Sequence, residues 1–136
     1  MSRVQKGWVQ RGAVTVLALT LGLVALRWLP VDADRSGSVI EVVLVAREMA
    51  FYRDGDFDTP NPSLLFEAGS RVRLVLRNED PGMKHNFAVP SWDLATRELH
   101  GQGVAHVEFV VPDAKGLQAY ECTPHARMMR GTIEIR

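Results

Sequence analysis

Between Glu121 and Gly131 the chain reads ECTPHARMMRG, a stretch that holds its single cysteine, one of its four histidines and two of its five methionines. Cys122 and His125 stand three residues apart, so a thiolate and an imidazole can reach one ion across a single tight turn, which Pro124 stiffens. Met128 and Met129 then offer a thioether on the way into the last apolar run. Thiolate and thioether are soft donors and imidazole is borderline, a set that suits copper. Zinc more often takes further Cys or His at finger-like spacings, and the chain has none.

One thiolate, two imidazoles and a weak axial thioether make up a type 1 copper electron-transfer centre. The segment is one histidine short of that set. Of the other three histidines, His85 is the best placed, because PGMKHNFAV is a turn leading into an apolar strand, where a side chain is aimed from a rigid edge. His100 lies in a polar, glycine-flanked loop (LHGQG) and His106 in an alternating strand beside Glu108, and both read as solvated residues without a role. Met83 reads as a surface or rim residue.

Strands must position these donors. Val39 to Ala46 is a β-branched run, and Arg71 to Asn78 (RVRLVLRN) alternates, with Val72, Leu74 and Leu76 on the buried face and Arg71, Arg73 and Arg77 in solvent. Further strands are expected over His85 to Val89, Ala105 to Val111, Leu117 to Cys122 and Thr132 to Ile135, each bounded by Gly, Pro, Asn or Asp. Tyr120 is expected in the core on the same side of its strand as Cys122. Ser91 to His100 has room for one turn of helix, and no longer helix is expected beyond the N-terminus. The spacing predicts an antiparallel sandwich or barrel.

The chain has 136 residues, 46% of them hydrophobic, which suits one domain with a real core. Its 16 basic and 16 acidic residues argue against nucleic-acid binding. That balance hides a split. Residues 1–33 carry Arg3, Lys6, Arg11 and Arg27 against Asp32 alone, leaving the remainder mildly acidic. The uncharged run Gly12 to Leu26 behind three positive charges has the layout of an export signal. It spans a membrane only if Arg27 snorkels and Trp28 sits at the interface. Two outcomes follow: cleavage after Ala33, or an uncleaved N-terminal anchor of one hydrophobic helix. Either exports residues 34–136. A lone cysteine in an oxidising compartment makes no internal disulfide, so Cys122 is expected to be buried or occupied.

YECTPHARMMRGTIEI resembles the C-terminal copper loop of the cupredoxins, the plastocyanin- and azurin-like type 1 copper proteins, and its CTPH core is most similar to the loop of the amicyanins. NEDPGMKHNFAV is similar to the family's first-ligand segment, in which a His-Asn pair opens a strand. The resemblance implies an all-β fold, a Greek-key β-sandwich or barrel, with one copper per chain cycling between Cu(I) and Cu(II). It also implies that His85, Cys122 and His125 are equatorial ligands, with Asn86 tying its segment to the backbone near Thr123. For the axial ligand, Met128 has the amicyanin distance from His125. Met129 has the family's Met-x-Gly relation to Gly131 and is favoured, because strand register decides which side chains point inward.

The expected role is a one-electron carrier and not an enzyme, since no His-x-His segment or second cysteine is present for a catalytic or binuclear copper centre. The alternatives are a copper-delivery protein or, with a carboxylate such as Glu79 or Asp80 as a ligand, a copper enzyme of the nitrosocyanin kind. Arg127 and Arg130 flank His125 and are expected to steer a redox partner such as a c-type cytochrome or an oxidoreductase to a monomeric, extracytoplasmic domain.

Overall fold

The computed structural model describes residues 38–136. The predicted signal or anchor helix over residues 1–33 lies outside the described residues. Among the described residues are eleven strands and two short 3-10 turns.

The first sheet is built on β1 (Ile40–Arg47), β2 (Ala50–Arg53), β4 (Arg71–Asn78) and β9 (Gly103–Val110), in the order β2-β1-β4-β9. β4 alternates as its sequence does: Val72, Leu74 and Leu76 are buried, while Arg71, Arg73, Val75 and Arg77 lie on the opposite, more exposed face. Arg73 lies in register between Glu41 of β1 and Glu108 of β9, with both N···O separations 3.5 Å. Such half-exposed pairs contribute at most about 1 kcal/mol. Each buried aliphatic side chain contributes about 1.5–3 kcal/mol, so the inner face holds the strand in place.

The second sheet has the order β3-β11-β10-β6-β7, from β3 (Leu64–Phe66), β6 (Ala88–Val89), β7 (Leu94–Ala95), β10 (Gly116–Glu121) and β11 (Arg130–Ile135). A two-stranded piece pairs β5 (Lys84–His85) with β8 (Leu99–His100). Phe51 from the first sheet meets Tyr120 of β10 and Phe87, the residue before β6, with ring centroids 5.5 and 6.3 Å away, at the centre of the core.

The sheets are mixed rather than antiparallel throughout. β1 runs parallel to β4, and β3 parallel to β11. The reason is the route of the chain: after the β1–β2 hairpin it crosses to the other sheet as β3 and returns as β4, so two neighbours end up pointing the same way. The segment expected as one strand over His85 to Val89 is also divided. β5 pairs with β8, and β6 pairs with β10 and β7, with Asn86 and Phe87 carrying the chain between them. The expected helical turn is a 3-10 turn at Pro90–Trp92, and the rest of that region forms β7 and β8, so His100 is in a short strand rather than a loop.

Candidate metal centre

Cys122 follows the last residue of β10, and Met129 precedes the first residue of β11. The loop between them closes on itself. The Cys122 N–H donates to the Met129 carbonyl (3.0 Å), the His125 N–H to the Cys122 carbonyl (2.9 Å), and the Met128 and Met129 N–H groups both donate to the His125 carbonyl (2.9 Å each). Thr123–His125 form a 3-10 turn with Pro124 in its first positions, where a missing N–H costs nothing. These bonds fix both ends of the turn, so the Cys122 and His125 side chains emerge from a rigid frame.

His85 reaches the same point from β5. Its Nδ1 lies 3.6 Å from the Cys122 sulfur, and the Nδ1 of His125 is also 3.6 Å from that sulfur. The three donor atoms all lie within 4.8 Å of one another, and the imidazole centroids are 5.0 Å apart. An ion about 2.0–2.3 Å from each donor, at trigonal to tetrahedral angles, sets a sulfur and a nitrogen roughly 3.5–3.8 Å apart. The observed separations fall in that range, so the donors fit a single ion.

The surroundings suit that use. His85 and Cys122 are fully buried, and His125 is half-buried. Burial pushes the Cys122 thiol up, although the backbone N–H groups of Asn86 and His125 pull it the other way, so a cation in reach of the sulfur is what favours the thiolate. Burial likewise depresses the His85 imidazole, against the pull of Asp80, which leaves it a neutral donor at ordinary pH. The methionines differ. Met129 is fully buried, whereas Met128 is 56% exposed and lines a surface depression with Pro124, His125, Ala126 and Arg127.

Asn86 links the two donor segments. Its Oδ1 accepts from the Thr123 N–H at 2.7 Å, and its Nδ2 donates to the Thr123 hydroxyl at 3.1 Å. Arg127 and Arg130 are exposed, with Arg130 within 4.0 Å of the Glu121 carboxylate. Met83 is 37% exposed, and His100 and His106 are exposed and apart from the cluster.

Two residues that the sequence reading gave no supporting role belong to the frame. Asn61, at a left-handed φ of 50°, accepts from the Phe51 N–H (3.1 Å) and donates to the Met128 carbonyl (3.1 Å), tying the loop to β2. Asp80 places Oδ2 3.0 Å from His85 Nε2, on the ring nitrogen that faces away from the sulfur's partner Nδ1. Its other oxygen accepts from the Glu48 N–H at 2.9 Å. Both carboxylate oxygens are thus engaged elsewhere, which does not suit a carboxylate ligand.

No family model matches the chain, and no curated protein matches it in sequence. Solved structures do resemble it. Auracyanin A, a "blue" copper protein of Chloroflexus aurantiacus, superposes with a TM-score of 0.58 at 18% identity, over 71% of this chain and 98% of that one. Reduced auracyanin from Roseiflexus castenholzii gives 0.59 at 15% identity, over 74% and 99%. The copper protein rusticyanin gives 0.52 at 22% identity, over 74% and 80%. At such identities the likeness establishes the fold, which is the cupredoxin fold.

Proposed function

We propose that this domain binds one copper ion through His85, Cys122 and His125, with Met129 as the axial donor, and carries single electrons between redox partners. The observation that carries the reading is the pair of equal 3.6 Å separations from one buried sulfur to two imidazole nitrogens, one brought by β5 and the other by the turn of the β10–β11 loop. Copper would supply the one-electron couple. The chain's part is to hold thiolate and imidazoles in one arrangement for both oxidation states, so that little reorganises when an electron passes. The closed loop, the Asn86–Thr123 pair and the buried walls support that rigidity. Met129 is favoured over Met128 because it is buried beside the loop's closure while Met128 faces solvent.

Half-buried His125 offers a path for the electron to the surface. Arg127, which lines the same depression, favours a partner with an acidic docking face, such as a c-type cytochrome or another oxidoreductase, whereas Arg130 faces Glu121 and lines a separate depression. Burial also favours electron transfer over copper delivery, since an acceptor's ligands would have to reach an ion enclosed by His85 and Cys122. The charge and hydropathy pattern of residues 1–33 supports placement outside the cytoplasmic membrane, released by cleavage or held by an anchor.

The test is spectroscopic. Copper-loaded protein should show an intense visible band from thiolate-to-copper charge transfer, and Cys122→Ser should abolish it. A colourless copper-loaded protein sinks the reading.

A further inference from the structure

We infer that Asp80 is a positioning residue for His85, fixing the tautomer and direction of its ring so that Nδ1 faces the Cys122 sulfur; this rests on the proposed metal site. A neutral imidazole carries its proton on one nitrogen only. The proton belongs on Nε2 here, because the carboxylate 3.0 Å away can only accept, and Nδ1 is then left with its lone pair toward the donor cluster.

What distinguishes Asp80 from a chance neighbour is how thoroughly it is held. Oδ1 accepts from the Glu48 N–H at 2.9 Å, and the Asp80 N–H donates to the Asn78 side chain at 2.9 Å. Asn78 is itself 2% exposed and donates to the carbonyls of Met83 (3.0 Å) and Gly101 (2.7 Å). The Glu79 N–H donates to the Ala46 carbonyl at 3.0 Å, tying the segment to β1.

The hairpin that supplies the Glu48 N–H is unusual. Glu48 and Met49 occupy its two turn positions at φ 52° and 62°, a left-handed conformation that favours Gly or Asn. Strained backbone persists where its surroundings hold it, and it concentrates at functional sites. Here the strained turn aims an N–H at the carboxylate that holds a donor ring.

Two measurements test the inference. In the metal-free protein above neutral pH, nitrogen NMR of the imidazoles should show His85 as a single Nε2–H tautomer, and Asp80→Ala should turn it into a mixture. Asp80→Ala should also weaken copper binding by about 10–100-fold. Asp80→Asn, whose amide oxygen still accepts from Nε2, should recover most of that loss and keep the single tautomer. A purely structural role would lower thermal stability without moving the tautomer. An unchanged tautomer in Asp80→Ala, or copper affinity equal to that of the parent, overturns the inference. If Asp80→Ala does not fold, a mixed His85 tautomer in the parent protein overturns it equally. A colourless copper-loaded parent would instead count against the copper reading, and the metal-free measurement would still decide the role of Asp80.

Discussion

Met128 and Met129 are adjacent and chemically identical, yet one is 56% exposed and the other fully buried. Their difference fixes what each can do. Met129→Leu keeps the volume and removes the thioether, so in copper-loaded protein the reduction potential should rise, because the oxidised ion loses a donor, and the visible and paramagnetic resonance spectra should change. Met128→Leu should leave both unchanged. Equal effects of the two substitutions would remove the axial assignment. At this scale much was legible. Cys122 and His125 were marked by residue type and by a spacing that one turn brings together, and His85 by its place at the mouth of an apolar strand. Asp80 and Asn61 were not, since their contacts cross 5 to 67 positions of sequence and depend on loop paths that no local pattern encodes.

Each donor depends on the element beneath it, and β10 and β11 show how closely. Gly131 pairs with Tyr120 across the ladder, and the tyrosine ring lies directly over its Cα. A Cβ at Gly131 would overlap the ring. The ring cannot retreat, because its hydroxyl donates to the Pro62 carbonyl at 2.6 Å and its face stacks on Phe87 at 5.3 Å. Gly131→Ala should therefore destabilise the fold by about 1–3 kcal/mol or more, read as a lower denaturation midpoint of the metal-free protein. An unchanged midpoint would mean that the hairpin shifts freely under the ring. The longer strands were legible in sequence because six to eight residues display a period. β2, β3, β7 and β8 have two to four residues and show none. The Glu48–Met49 turn escaped notice for a related reason, as neither residue advertises a left-handed backbone.

Taken whole, the chain has equal numbers of basic and acidic residues and its part beyond residue 33 is only mildly acidic, so net charge steers a partner weakly. Local charge does more. Arg127 makes no ion pair among the described residues and lines the depression over His125. Oxidation of the reduced copper protein by a small anionic reagent such as hexacyanoferrate should slow several-fold in Arg127→Glu at low ionic strength, with the difference fading as salt screens it. A rate that ignores both the substitution and the salt would place the electron's exit elsewhere. The mixed sheets belong to this scale too, because parallel pairing follows from the order in which the chain visits the two layers, and strand-sized patterns carry no record of that order.

Cys122, His125 and Met129 all sit on one loop whose stem is locked by the β10–β11 ladder. A deletion or insertion there would change bond angles around an ion while leaving both layers of the sandwich undisturbed. Such an arrangement makes the redox properties adjustable in small evolutionary steps, independently of the scaffold that keeps the protein folded.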